Sequence, residues 1–117
     1  MHWDAQHLLL DWQPSQRTDF SRPVSFTLAI ALPHAGAGLN YWDFEWTTGA
    51  AVPPEMMRQF IGRMPAHFIN YWVGELVINS GRLMHQIAPA KNIQPEDERI
   101  TLQGHALFSD GCWKLYW

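Results

Sequence analysis

"GELVINSGRLMHQIAP" occupies residues 74–89, and how it is read decides the fold. Apolar and β-branched residues cluster on either side of a Ser-Gly-Arg turn. The stretch therefore predicts two short strands, "GELVINS" and "RLMHQIAP", closed by glycine and proline. His85 stands inside the second strand. A lone histidine on a half-apolar strand reads in two ways, as a hydrogen-bonded core residue or as a ligand facing a site.

Working outward, the β pattern continues on both sides. "PVSFTLAIAL" (residues 23–32) is apolar nearly throughout, as a strand covered on both faces would be. After the turn "PHAGAG" comes "LNYWDFEW" (residues 39–46), which puts Leu39, Tyr41, Asp43 and Glu45 on one side. Asn40, Trp42, Phe44 and Trp46 fall on the other, the predicted core face. "VPPEMMRQFIGRM" predicts one helix, with prolines at its start and Met56, Met57, Phe60, Ile61 and Met64 as an apolar packing stripe. "RITLQGHALF" and "CWKLYW" follow as strands joined at Ser-Asp-Gly. Many short strands with a single helix make the fold class all-β with one helix, a sandwich or barrel, in one domain spanning residues 1–117.

Composition narrows the partners. The 117 residues are 47% hydrophobic and 16% charged, with seven Trp, six Phe and three Tyr, which argues for a packed domain and against disorder. A net charge of −3 and the absence of any Lys/Arg cluster give nucleic acid nothing to bind. No apolar run has the length of a membrane span, and "MHWDAQHLLLDWQ" lacks the features of a signal peptide. One cysteine, Cys112, excludes an internal disulfide framework and suits a reducing compartment, so the expected location is cytoplasmic.

The chemistry-bearing residues come in two groups. His2 and Asp4 form an H-x-D pair, whose side chains share one face of a strand, and a neighbouring strand carrying His85 supplies a third ligand. Two imidazoles and a carboxylate make the three-ligand face that suits ferrous iron and leaves positions open for substrate and oxygen. Arg99 and Thr101 are likewise two apart, placing a guanidinium and a hydroxyl where they can clamp a carboxylate. A salt bridge from Arg99 to a rim acid such as Asp97 or Glu98 is the plainer reading of that residue. His7, His34 and His105 are further candidates at the edge of the ligand set.

The order of these pieces resembles the iron(II)/2-oxoglutarate-dependent oxygenases, in particular their prolyl-hydroxylase-like branch. The matching series is H-x-D, then "SFTLAIALPHAGAGLNYWDF", then "GELVINSGRLMHQIAP", then "RIT", covering nearly the whole chain. The resemblance implies a double-stranded β-helix, the jelly-roll architecture shared with cupins. It implies that His2, Asp4 and His85 hold Fe(II), that Arg99 and Thr101 hold the far carboxylate of 2-oxoglutarate, and that Tyr41 touches co-substrate or substrate. The activity implied is hydroxylation of a small-molecule or peptidyl substrate with release of succinate and carbon dioxide.

Family members carry further strands and helices ahead of the H-x-D, which here begins at residue 2. A ligand so near a terminus is expected to fray. Three accounts stay open: a fragment of a longer protein, a strand supplied by the second subunit of a homodimer, or a descendant of the fold that has lost its metal. Two other classes compete. A cupin would show H-x-H, which is lacking; a non-catalytic binding or assembly module would use "CWKLYW" and the helix stripe, or its tryptophans against sugar rings.

Overall fold

A computed structural model describes residues 2–12, 17–45 and 53–117. Trp46 and Val52, assigned above to a strand and a helix, lie outside the described residues. The described chain is mostly β, in two antiparallel sheets with one α-helix.

In chain order the elements are β1 (Thr18–Ala31), β2 (Gly38–Glu45), α1 (Pro54–Ile61), β3 (His67–Asn70), β4 (Leu76–Ser80), β5 (Leu83–Ile87), β6 (Ile100–Ser109) and β7 (Cys112–Tyr116), preceded by a 3-10 turn at Gln6–Leu9. A four-stranded sheet has the order β4-β1-β6-β7 and a three-stranded sheet the order β3-β2-β5. The Ser-Asp-Gly signal became the β6–β7 hairpin. Asp110 and Gly111 both take positive φ, 51° and 83°, the pairing that tight hairpin turns require.

Three expectations need correction. β2 has no single core face: Leu39 is buried on one side, against Ala29 and Tyr71, while Trp42 is buried on the other, against Ile61 and Met84. The strand lies between the opposite sheet and α1, so alternation splits its apolar residues between two environments. The helix is shorter than its apolar pattern and ends at Ile61, with Gly62 closing the last turn on the Arg58 carbonyl. Met57 and Met64 pack with Trp42, Ile61 and Met84, but Met56 and Phe60 are exposed, so the stripe is only partly packing. β3 was not anticipated, because "HFIN" is four residues long and half polar.

Register between strands sets what faces what. Ser25, Thr27 and Ala29 of β1 stand opposite His105, Gln103 and Thr101 of β6, on the face turned toward the three-stranded sheet. The alternate residues, Val24, Phe26 and Leu28, stand opposite Ala106, Gly104 and Leu102 on the other face.

Candidate metal centre

The segment carrying the H-x-D lies along β5. His2 and His85 exchange two backbone hydrogen bonds, 3.0 Å and 3.1 Å, and the Asp4 amide donates to the Gly81 carbonyl at 3.0 Å. Gly81 in turn donates to the Pro23 carbonyl of β1 at 2.9 Å. The fraying expected of a ligand at residue 2 is therefore opposed by pairing to a neighbouring strand.

This pairing brings together His2, Asp4 and His85. One ligand atom from each lies within 4.8 Å of the others. The His85 Nε2 is 3.3 Å from Asp4 Oδ2, and the His2 Nε2 is 3.5 Å from Asp4 Oδ1. His85 Nδ1 lies 2.8 Å from the Leu83 carbonyl, so Nδ1 carries a proton and donates it, and Nε2 is the atom turned toward Asp4. Burial, and then His85, lowers the His2 pKa below the ordinary histidine value, against the opposing pull of Asp4. A lowered pKa keeps the imidazole neutral at neutral pH, the form that binds metal.

Asp4 is the centre of the arrangement. It is 5% exposed, and the ion-pair partners that the described residues give it are all imidazoles: His2, His85 and, at 3.9 Å, His105. The Ser25 hydroxyl donates to Asp4 Oδ2 and also lies 3.2 Å from His105 Nδ1. A buried carboxylate needs a partner for its charge, and here the groups nearest to it are imidazoles. A divalent cation fits that need, and the donor set is the one that ferrous iron takes.

The cleft beside these ligands is small, about 60 Å³, and is walled by Thr27, Leu39, Ile87 and Gln103 among others. Arg99 and Thr101 do not line it. Thr101 shares the inward face of β6, two residues from Gln103. Arg99 precedes β6 and donates from one terminal nitrogen to the Gly36 carbonyl at 3.0 Å, while its Nε is buried without a partner. The rim salt bridge considered for Arg99 is not formed among the described residues; Asp97 binds His34 instead, 2.9 Å from its Nδ1. Tyr71 has a buried hydroxyl whose pKa is raised by burial, offset by Thr27 and by the charge of Arg99. Tyr41 stands opposite His85 in register but stacks on His67, with ring centroids 5.0 Å apart.

The remaining histidines take separate roles. His7 is buried in the 3-10 turn against Phe20, outside the ligand cluster. His34 is at the surface with Asp97. His105 stands behind Asp4 through Ser25 and packs on Tyr116 at 5.3 Å, whose hydroxyl is pushed up to about 12 by burial and by the Asp4 charge. The Ser25–His105 support was missed from sequence. Its signal was the inward alternation of two polar residues on otherwise apolar strands.

Among the described residues no helix is long and apolar enough to cross a membrane, and Cys112 is exposed and unpaired. No protein-family model matches the chain, and no match to a curated protein was found.

Proposed function

We propose that the chain is the core of an Fe(II)- and 2-oxoglutarate-dependent oxygenase built on a double-stranded β-helix. The observation that carries this reading is the buried Asp4 carboxylate held between His2 and His85, with one ligand atom from each of the three within 4.8 Å of the others. Topology supports it as well. The chain passes from one sheet to the other between β1 and β2, β3 and β4, β4 and β5, and β5 and β6, and the H-x-D segment extends the smaller sheet beside β5.

His2, Asp4 and His85 would hold the iron. Arg99 and Thr101 would hold the far carboxylate of 2-oxoglutarate. When bound, the metal and co-substrate would supply the oxidising chemistry by reaction with dioxygen, one atom of O2 going into succinate and the other into the hydroxylated product as carbon dioxide is lost from 2-oxoglutarate. The protein's own contribution is positional. The Leu83 carbonyl fixes the His85 tautomer, and Ser25 anchors one carboxylate oxygen of Asp4 so that the group cannot rotate freely. The unpartnered Arg99 Nε–H is a buried donor suited to an incoming carboxylate oxygen. Leu39 and Ile87 give the cleft an apolar wall that limits water.

The test is an anaerobic titration of the protein with Fe(II) and 2-oxoglutarate, followed by visible absorption. A weak charge-transfer band that needs both additions, and disappears in His85→Ala, is the expected result. Tight Fe(II) binding with no band on adding 2-oxoglutarate would retain the metal centre and remove the co-substrate. Iron affinity unchanged by His85→Ala would remove both.

A further inference from the structure

The two faces of the four-stranded sheet differ in kind. The inward face carries Ser25, Thr27, Gln103 and His105. The outward face carries rows of apolar side chains in register: Leu76, Leu28 and Leu102 in one row, Ile78, Phe26 and Gly104 in the next, and Ser80, Val24, Ala106 and Leu115 in the third. Ser80 is the one polar residue in those rows. Phe26 and Trp117 meet edge to face over Gly104, where a Cβ would come within 2.6 Å of the Phe26 ring. The missing side chain at Gly104 lets two aromatic rings fill its place and keeps the face continuous.

This apolar surface is open. Leu76, Ile78, Leu102, Trp113, Leu115 and Trp117 are between 44% and 73% exposed. They flank a groove of about 410 Å³ whose lining includes Val24, Phe26 and Ala106. A contiguous apolar area of this extent marks an interaction site.

We propose that this face is a homodimer interface, in which two copies of the chain stack sheet on sheet about a two-fold axis running along the strands. Three features select a second copy. Size is the first: six side chains exposing roughly 100 Å² each, with the half-buried residues between them, offer on the order of 800 Å², about what one partner contributes to a standard interface. Charge is the second. The three rows present no charged group, and Asp19, which pairs with Phe108 in the row of Trp113, is already held by Arg22, so a charged partner finds little counterpart, whereas an identical apolar face matches it. Shape is the third. With the axis along the strands, β7 of one copy lies on β4 of the other with the rows kept level, so the bulky Trp117 meets Ile78 and Leu115 meets Ser80, large side chains against smaller ones. Face-to-face packing of twisted sheets about 10 Å apart is a standard way to bury two such surfaces.

The measurement is sedimentation velocity of the full chain from about 1 to 100 µM, compared with Ile78→Asp, Ile78→Val and Trp117→Lys, each checked by far-UV circular dichroism. The expected result is a dimer of the 13.5 kDa chain that dissociates in Ile78→Asp and persists in Ile78→Val. Trp117→Lys, at a residue 73% exposed and outside both buried core clusters, should raise the dimer dissociation constant at least tenfold and stand in for Ile78→Asp should that variant not fold. A monomer throughout the range overturns the proposal. So does a dimer that survives both charged substitutions, or a species that grows beyond two copies.

Discussion

The metal end of the molecule and the Arg99 end are built differently. At the metal end, every ligand is set by strand pairing: His2 against His85, Asp4 against Gly81, and Gly81 against Pro23. At the other end, Arg99 emerges from the 88–99 connection, where backbone bonds such as that from Lys91 to the Ala35 carbonyl are joined by a side-chain anchor. Asp97 accepts hydrogen bonds from the backbone amides of His34 and Gln94 and pairs with the His34 ring. Strand pairing transmits position through many backbone bonds, whereas a loop transmits it through a few side-chain bonds. The three candidate ligands accordingly converge, while Arg99 turns to the Gly36 carbonyl outside their cleft.

Substitutions at the two ends should separate these roles. His85→Ala removes a side chain 7% exposed, leaving His105, 3.9 Å from Asp4 and engaged by Ser25, as the nearest other imidazole beside His2, and should weaken Fe(II) binding at least 100-fold by anaerobic titration. Arg99→Ala should leave iron affinity within a factor of two and weaken 2-oxoglutarate by about 10- to 100-fold, the loss expected for hydrogen bonds to a charged group. If it weakened iron equally, the two ends would be one unit after all. Ser25→Ala should weaken iron by about tenfold through loss of the Asp4 anchor, with Ser25→Thr restoring part of the affinity.

The smallest effect concerns the loop alone. The amides of Gln94 and His34, and then the His34 ring, hold the Asp97 carboxyl down to about 2 from its usual 3.8. A carboxyl lowered on folding contributes stability above its unfolded value, and loses it as pH falls through the folded one. Asp97→Asn should therefore melt below the wild-type protein at pH 7, and the gap should close between about pH 4 and pH 2. A gap that persists at pH 2 would place the effect elsewhere than in this carboxylate.

The same division governs what was legible in the sequence. His2, Asp4 and His85 were readable because alternation along strands puts them on one side, and the glycine and proline around "GRLMHQIAP" marked where that strand begins and ends. The Asp110–Gly111 turn was readable for an equally local reason. β2 was read as one-faced because periodicity reports alternation but not what covers each side; only the position of α1 reveals that Trp42 and Leu39 are both interior. The rim acid expected for Arg99 was misread because Asp97 is claimed by His34, 63 residues away. Nothing near Arg99 in sequence reports that contact. The family resemblance supplied the roles for Arg99, Thr101 and Tyr41, which local alternation alone does not carry.

One asymmetry among the ligands bears on how a bound ion would come and go. His2 is 54% exposed, while Asp4 and His85 are 5% and 7% exposed. An approaching chelator meets His2 first, and the bridge to β5 that holds it is a single residue pair. Local opening of that bridge costs far less than opening the sheet. Metal release should then proceed from the His2 side, at a rate governed by the His2–His85 pairing and insensitive to the stability of the rest of the fold.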